Sequence, residues 1–357
     1  SEHSEETQVS LREATRICAR LREFGHVAYF AGGCVRDALL GREPKDFDVA
    51  TDATPDRVRE IFGKRKTLAF GASFGVIAVL PEEKSARQIQ PTEVATFRSD
   101  GEYSDGRRPD KVHYGDAKHD ALRRDFTING LFFDPDQEKV IDFVGGHADL
   151  AARRLRTIGA AVERFEEDKL RMLRAVRFAT TLGFELEADT KIEIINRAEE
   201  ISVVSGERIG AEMRRIVASI FAPRGLLLLS ESGLDRFIMP HLRFADQQSL
   251  LEYLGHRESL NFDSSLALVL LVIAANPSAP SVEALVDETK RLWRLSSDET
   301  RRIKAAATNW TMLSQANRHP WSAIQPLLID RDVACVLDVA VAITDADQKD
   351  ASGVELC

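Results

Sequence analysis

The sequence predicts an α+β protein, with a mixed α/β region first and an all-helical remainder. Short apolar, strand-like runs, of which 27–31 is the first, alternate with helical segments as far as about residue 145. Beyond that point apolar residues recur with the helical period alone, so we place a domain boundary there. With 357 residues, 44% of them hydrophobic and 29% charged, the chain is long enough for two or three globular domains.

The composition excludes several classes of protein. No apolar run reaches membrane-spanning length, and the longest, 266–275, is too short. The N-terminal SEHSEETQVS has neither the basic start nor the apolar centre of a secretory signal. The four cysteines show no CxxC spacing, so we expect no structural zinc or disulfide framework, and a reducing cytoplasm fits. A net charge of −9 argues against non-specific coating of nucleic acid but allows a local basic surface.

The first candidate site is a strand-to-helix turn at Gly32 and Gly33. The strand-like run 27–31 ends at these glycines, and a helix-like segment, 34–40, follows them. Adjacent glycines let backbone N–H groups approach a ligand, and a helix N-terminus adds the positive end of a dipole. The turn therefore suits a phosphate, although a glycine pair by itself usually marks only a turn.

Three carboxylates follow this turn. Asp46 and Asp48 lie in a segment, 45–49, that looks extended, and residues two apart on a strand face the same way. Two carboxylates beside a phosphate suit Mg²⁺, which prefers oxygen ligands, whereas a lone D-x-D is more often a solvated strand end. Glu93, on a predicted strand over 92–97, is either an exposed edge residue or a third acid. As a third acid it would complete the metal site or take a proton from an attacking hydroxyl.

Two further segments carry weaker signals. Residues 98–111 contain two glycines and a proline without apolar periodicity, which predicts a loop between strands. It is either a solvated hairpin or a mobile lid beside a nucleotide site. The pair His119 and Asp120 is reminiscent of metal-dependent phosphohydrolases, but partner His and Asp residues are missing at supporting positions.

Charged residues also end a predicted helix over 116–124. Arg123 and Arg124 could hold phosphates or a ribose, and Asp125 could accept hydrogen bonds from ribose hydroxyls. The alternative is ordinary charge at an exposed helix end.

The segment 151–180 carries eight Lys/Arg against four Asp/Glu, an excess that suits an RNA backbone or a triphosphate. Solvated helix charge is the alternative. Asp168 and Arg171, three apart on a predicted helix, form either a surface ion pair or a base reader. Cytosine and adenine both present an amine donor beside a ring-nitrogen acceptor, so a carboxylate with a guanidinium would admit CTP and ATP and reject GTP and UTP. We assign Arg174 and Arg177 to nucleotide binding as well.

Six segments resemble, in order and spacing, the motifs of the class II, bacterial-type CCA tRNA nucleotidyltransferase and poly(A) polymerase family of polymerase-beta-like nucleotidyltransferases. They are GGCVRDALLGREPKDFD (32–48), EVATFR (93–98), DGEYSDGRRPDKV (100–112), RRDFTING (123–130), EEDKLRMLRAVRFA (166–179) and SGERIGAEMRRI (205–216). The resemblance spans roughly residues 25 to 220. It implies a small mixed-sheet catalytic head (1–145), a helical neck with base recognition (146–215), and a helical body and tail that bind tRNA (216–357).

The resemblance also implies roles for individual residues. Asp46 and Asp48 would hold two Mg²⁺ ions, and Glu93 matches the third-acid segment less securely. The nucleotide-binding residues would be the triphosphate contacts Gly32, Gly33 and Arg36, the ribose contacts Arg124 and Asp125, and the base contacts Asp168 and Arg171. The 98–111 loop matches the flexible element with which members of the family switch from CTP to ATP.

The function so implied is template-independent addition of CMP and AMP, from CTP and ATP, to the 3′ end of tRNA. Two metal ions would assist in-line attack of the RNA 3′-hydroxyl on the α-phosphate, with tRNA contacted at its 3′ end and acceptor stem and no membrane involved. An A-adding enzyme or a poly(A) polymerase is the main alternative. A full-length loop disfavours a CC-only enzyme, and the lack of long basic extensions disfavours one type of poly(A) polymerase. A non-catalytic RNA-binding relative is disfavoured because Asp46, Asp48, Arg124 and Asp168 are all intact. No oligomeric state is predicted.

Overall fold

The computed structural model describes residues 4–71, 74–82, 89–99, 113–255 and 260–346, and the chain divides after Asp168 into two compact units. The strands of the first unit are β1 (Ala28–Ala31), β2 (Asp48–Thr51), β3 (Thr67–Gly71), β4 (Val76–Val79), β5 (Thr92–Thr96), β6 (Arg98–Ser99), β7 (His113–Tyr114), β8 (Leu131–Asp134), β9 (Lys139–Asp142) and β10 (Arg154–Leu155). Its helices are α1 (Glu5–Glu23), α2 (Gly33–Leu39), α3 (Pro55–Phe62), α4 (Ala117–Leu122), α5 (Gly146–Ala151) and α6 (Ala161–Glu167), with 3₁₀ turns at Lys64–Lys66 and Thr127–Asn129.

Within the described residues, seven of these strands form one mixed sheet in the order β3-β4-β5-β2-β1-β8-β9. Strands β2 and β5 run parallel, and all other neighbours run antiparallel. Strands β6 and β7 pair separately. The mixed sheet followed by helices confirms the predicted fold class. The predicted borders near residues 145 and 215 stay predictions.

Local sequence signals explain how the first helices begin. The side chain of Ser4 accepts a hydrogen bond from the backbone N–H of Thr7, which caps α1. The apolar face of this helix is buried, including Ile17 and Leu21. Thr54 caps α3 in the same way, with Pro55 in the first turn, as the Thr-Pro pair predicts.

Side chains of the central strands contribute to a buried core beside the candidate site. Val49 of β2 lies beside Val94 of β5, and both are almost fully buried. On the sheet, Tyr29, Phe97 and Phe132 pack around one another with ring centroids 5.9–6.2 Å apart. These rings pack with Ala31, Ala50 and Ala121 in one apolar cluster.

The second unit is almost entirely helical. Its helices are α7 (Leu170–Leu182), α8 (Ala188–Arg197), α9 (Gly206–Val217), α10 (Ala222–Glu231), α11 (Asp235–Ile238), α12 (Gln247–Leu254), α13 (Phe262–Ala274), α14 (Val282–Trp293), α15 (Ser297–Ser314), α16 (Trp321–Leu328) and α17 (Val333–Ala346). Three 3₁₀ turns, at Ala198–Val203, Leu242–Phe244 and Ala316–Arg318, and a short strand β11 (Glu185–Leu186) complete it. The most apolar segment, α13, is buried in this helical core. In the part of the chain that the structure describes, no helix has the length and apolarity to cross a membrane.

A close backbone contact joins α9 to the end of α14. A Cβ atom on Gly210 would lie 2.1 Å from the carbonyl oxygen of Trp293, so only glycine fits there. Trp293 is fully buried and donates its indole N–H to the carbonyl of Ile238 at 2.7 Å. The glycine spacing in α9 therefore serves packing, and it holds the helix that carries Glu212.

Candidate active site

Three strand ends meet at one edge of the sheet in the first unit. Ala31, at the end of β1, pairs with Asp48, the first residue of β2. Glu93 precedes Val94 as Asp48 precedes Val49 on the adjacent parallel strand, so the two carboxylates leave the sheet at neighbouring positions. Asp46 lies before the strand rather than on it, which corrects the expectation that strand alternation aligns it with Asp48.

Negative charge is concentrated at this edge. A cavity of about 330 Å³ opens here, and its lining includes Lys45, Asp46, Asp48, Thr92 and Glu93. Asp48 reaches solvent through the cavity, but surrounding protein atoms strip away much of the water around its carboxylate. That desolvation, followed by the charges of Glu93 and Asp46, raises the pKa of Asp48 to about 6, and Arg124 opposes the rise.

These carboxylates suit a hard divalent cation. Asp46 and Asp48 offer oxygen donors, and their mutual repulsion would be relieved by bound positive charge. Among the described residues, no three His, Cys, Asp or Glu side chains are grouped closely enough to hold one ion together. Two carboxylates would therefore share the ion with phosphate oxygens of a substrate, as Mg²⁺ sites commonly do.

The turn after β1 requires glycine. Gly32 caps α2 with a φ of 72°, a left-handed conformation that side chains disfavour. A Cβ atom there would lie 2.9 Å from Nη1 of Arg124. The turn thus brings bare backbone against a guanidinium that also acts on Asp48.

Arg124 is held in place by Asp120, a residue that the sequence analysis did not assign to the site. Nη2 and Nε of Arg124 donate to Oδ2 of Asp120 at 2.9 and 3.2 Å, and Arg123 donates to Oδ1 at 2.6 Å. Burial alone would raise the pKa of Asp120, but the two guanidinium groups more than offset it and hold the pKa below its usual range. The sequence did contain a signal for these contacts. Asp120 lies three and four residues before Arg123 and Arg124 on a predicted helix, a spacing at which side chains meet.

Asp125 and Arg36 are joined through Asn129, which sequence reasoning also missed. Oδ1 of Asp125 accepts from the backbone N–H of Phe126 at 2.8 Å and from Nδ2 of Asn129 at 3.1 Å. Nη1 of Arg36 donates to Oδ1 of Asn129 at 2.7 Å. The structure therefore brings together the residues predicted for the triphosphate and the ribose.

The predicted base-reading residues occupy a helix junction. Asp168 ends α6 in an extended conformation, and Arg171 lies in the first turn of α7. This corrects the expectation that the two are three apart on one helix. Arg174 follows on α7 and is half-buried, 3.8 Å from Glu212.

The side chain of Arg177 is buried, which the sequence did not indicate. Its Nε donates to Oε2 of Glu212 at 2.7 Å, and its guanidinium lies 3.5 Å from the ring centroid of Phe178. Burial lowers the pKa of Arg177 to about 10 although Glu212 opposes the shift. The buried pairing favours a supporting role for Arg177 over direct contact with a nucleotide.

The predicted loop over 98–111 is described only at its ends. Arg98 and Ser99 pair with Tyr114 and His113 as β6 and β7, and residues 100–112 lie outside the described residues. The backbone N–H of Arg98 donates to Oδ1 of Asp120 at 3.1 Å, which anchors the start of this segment.

Comparison with known proteins gives a consistent match. The family described as "Poly A polymerase head domain" matches residues 28–156, and "Probable RNA and SrmB- binding site of polymerase A" matches residues 183–245. The CCA-adding enzyme of Geobacillus thermodenitrificans NG80-2 is 43% identical over 228 residues, covering 64% of this chain and 54% of that protein. The CCA-adding enzyme of Lactococcus lactis subsp. cremoris MG1363 is 34% identical over 308 residues, covering 85% of this chain and 73% of that protein.

A solved structure extends the match to the fold. The crystal structure of the Bacillus stearothermophilus CCA-adding enzyme in complex with CTP has a TM-score of 0.76 and 31% identity, covering 94% of this chain and 78% of that chain. The present chain nevertheless spans only about half the length of the Geobacillus relative, 54% of it.

Proposed function

This chain belongs to the CCA-adding enzyme family, and on that premise we propose that it adds CMP and AMP, from CTP and ATP, to the 3′ end of tRNA without a template. One observation carries the proposal. The carboxylates of Asp46 and Asp48 lie at the same sheet edge as the Gly32 turn and Arg124. Paired acids beside a glycine turn and a guanidinium provide the charge pattern that nucleotidyl transfer requires.

Enzymes of this family ordinarily use a divalent metal ion. For this chain we propose Mg²⁺ with Asp46 and Asp48 as ligands, because their oxygens fit a hard cation and their repulsion calls for positive charge. When bound, the ion would supply charge that acidifies the attacking hydroxyl and neutralises the phosphates.

In the proposed reaction the RNA 3′-oxygen bonds to the α-phosphorus, the bond from that phosphorus to the bridging oxygen breaks, and pyrophosphate leaves. Glu93 would receive the hydroxyl proton on a carboxylate oxygen, since it projects beside Asp48. The backbone of Gly32 and Gly33 and the guanidinium of Arg36 would hold the triphosphate. Arg124 and Asp125, fixed by Asp120 and Asn129, would hold the ribose.

Gly32→Ala is expected to weaken nucleotide binding through Arg124. The added Cβ would lie 2.9 Å from Nη1 of Arg124, and the backbone at Gly32, with φ 72° and ψ −123°, has a conformation that glycine adopts and alanine disfavours. Gly41→Ala is the matched control, because Gly41 has a φ of 67° and nothing within 4 Å of its Cβ position. Denaturant titration should show a loss of stability for both variants, while the Kd of a fluorescent ATP analogue should rise only for Gly32→Ala. Equal Kd values in both would contradict the assignment.

Base choice is proposed to depend on Asp168 and Arg171, with Arg174 beside them. The carboxylate would accept from the exocyclic amine of cytosine or adenine, and the guanidinium would donate to the ring nitrogen. When guanine or uracil enters such a site, the carboxylate and the guanidinium find no matching donor and acceptor and stay unpaired. The site therefore discriminates strongly against GTP and UTP. Asp168 directly follows α6, and Arg171 lies in the first turn of α7.

Arg171→Ala is expected to relax nucleotide choice. Losing a charge-assisted hydrogen bond should lower the ratio of kcat/KM for CTP over UTP by roughly tenfold or more. Arg236→Ala, which removes an exposed arginine from α11, should leave this ratio unchanged. Incorporation assays with each of the four nucleotides measure the ratio, and unaltered rejection of UTP and GTP would refute the base-edge argument.

The product is tested with three tRNA substrates, ending at the discriminator base, at C and at CC. Each is incubated with the protein, Mg²⁺ and labelled CTP or ATP, and product length is read on a sequencing gel. CTP use on the first two followed by a single A establishes CCA addition. Addition of A to the CC-ended substrate alone would replace the proposal with an A-adding enzyme.

The family model that matches residues 28–156 is named for poly(A) polymerase, so poly(A) polymerase activity is the second candidate function. Long A ladders on RNA unrelated to tRNA would assign the chain to that activity. No incorporation of either nucleotide would overturn both proposals.

A further inference from the structure

Three residues proposed to hold the nucleotide all contact Asn129. Its Oδ1 accepts from Nη1 of Arg36 at 2.7 Å, and its Nδ2 donates to Oδ1 of Asp125 at 3.1 Å. Its backbone carbonyl accepts from Nη1 of Arg124 at 3.3 Å. Asn129 is only 8% exposed, so these contacts form in a partly dehydrated setting where each hydrogen bond matters more.

The carboxamide of Asn129 satisfies both side-chain neighbours, because it offers an acceptor and a donor. The guanidinium of Arg36 has donors alone, and the ionised carboxylate of Asp125 has acceptors alone. The amide orientation is therefore fixed by its partners, since the reverse would set NH₂ against the guanidinium and oxygen against the carboxylate. An aspartate at this position would still accept from Arg36 but would repel Asp125.

The backbone beneath Asn129 is rigidly held. Asn129 ends the 3₁₀ turn Thr127–Asn129, and its N–H donates to the carbonyl of Phe126 at 2.9 Å. The hydroxyl of Thr127 donates to Oδ2 of the fully buried Asp149 at 2.7 Å. These hydrogen bonds hold the backbone that carries the amide.

Arg36 is constrained on its other side as well. Its Nε donates to Oδ1 of Asp37 at 2.8 Å, so the guanidinium is clamped between Asp37 and Asn129. The same amide, together with the backbone N–H of Phe126, holds the carboxylate of Asp125.

We propose that Asn129 is a positioning residue that couples the triphosphate contact of Arg36 to the ribose contact of Asp125. This rests on the proposed function, which assigns those two contacts. The consequence is that recognition of the 2′-hydroxyl depends on the amide as well as on the carboxylate. A variant without the amide therefore loses discrimination between ribose and deoxyribose, and its KM for CTP rises.

The test measures kcat and KM for CTP and for 2′-deoxy-CTP on tRNA ending at the discriminator base. In Asn129→Asp the ratio of kcat/KM for CTP over 2′-deoxy-CTP should fall roughly tenfold or more, the effect of one hydrogen bond to a charged group. Asn129→Ala removes both contacts without adding charge, and it decides the outcome if Asn129→Asp does not fold. In this variant the same ratio should fall while circular dichroism shows native helix content.

Asp134→Asn is the matched control. Asp134 is 5% exposed, lies at the end of β8 and accepts from Nη2 of Arg22 at 2.6 Å. This variant should lower the thermal midpoint and keep the wild-type sugar ratio. If Asn129→Ala behaves in the same way, less stable with an unchanged ratio, Asn129 is merely structural and the inference is overturned. A wild-type protein that incorporates no nucleotide would instead overturn the proposed function, and the inference with it.

Discussion

Asp48→Asn is expected to abolish nucleotide addition, lowering kcat by on the order of a thousandfold or more, because a metal ligand supplies several kcal/mol of transition-state stabilisation. The substitution keeps the size of the side chain and removes only its charge. RNA binding, measured by gel shift, should remain near the wild-type value, since Asp48 acts at the site of chemistry. Single-turnover incorporation of labelled CMP measures the loss.

The same substitution should not destabilise the fold. The pKa of Asp48 is raised in the folded protein from 3.8 to about 6, so its ionisation opposes folding and the penalty develops as the pH rises through that interval. In metal-free buffer at pH 7 the thermal midpoint of Asp48→Asn should therefore equal or exceed that of the wild type. Below about pH 3, where Asp48 is protonated in both states, the two should agree.

Asp52→Asn provides the control for both measurements. Asp52 follows the other end of β2, is 45% exposed, and accepts from the backbone N–H of Val27 at 2.9 Å. The Asp52→Asn variant should have an activity near that of the wild type. Retained turnover in Asp48→Asn, or an equal loss in Asp52→Asn, would show that the metal site is assigned to the wrong carboxylate.

Glu212→Gln is expected to cause the largest loss of stability, about 3 kcal/mol in the free energy of unfolding of the second unit. Glu212 and Arg177 are 9% and 7% exposed and 2.7 Å apart, so the variant leaves a buried guanidinium without a compensating charge. Because Glu212 also lies 3.8 Å from Arg174, nucleotide affinity should fall as well. Urea unfolding monitored by circular dichroism measures the change in stability.

An exposed ion pair with one partner on the same helix, α9, supplies the comparison. Glu207 of α9 lies 3.7 Å from Arg294, and the two side chains are 69% and 62% exposed. Glu207→Gln should cost at most about 1 kcal/mol, since solvent screens such a pair. Similar losses for the two variants would mean that the buried pair contributes no more than a surface one.

The sequence by itself determined the fold class, the candidate chemistry and most local structure of the first unit. The apolar run 27–31 and the strand-like segment 92–97 place β1 and β5, and the Thr54-Pro55 signal places the start of α3, because these features depend on neighbours along the chain. The two glycines and the D-x-D motif indicated a phosphate and metal site for the same reason, since the residues of each motif are close together in the sequence.

Only the tertiary structure decided which side chains support that site. Asn129 acts through its contact with Arg36, 93 residues away, which folding brings near, and no periodicity in the sequence marks such a buried amide. Arg177 has the sequence context of a basic surface, yet helix packing turns it toward Glu212, 35 residues away. Asp168 and Arg171 fit one helical spacing, but the chain ends α6 between them. Long-range contacts of this kind depend on three-dimensional packing, which local propensity does not encode.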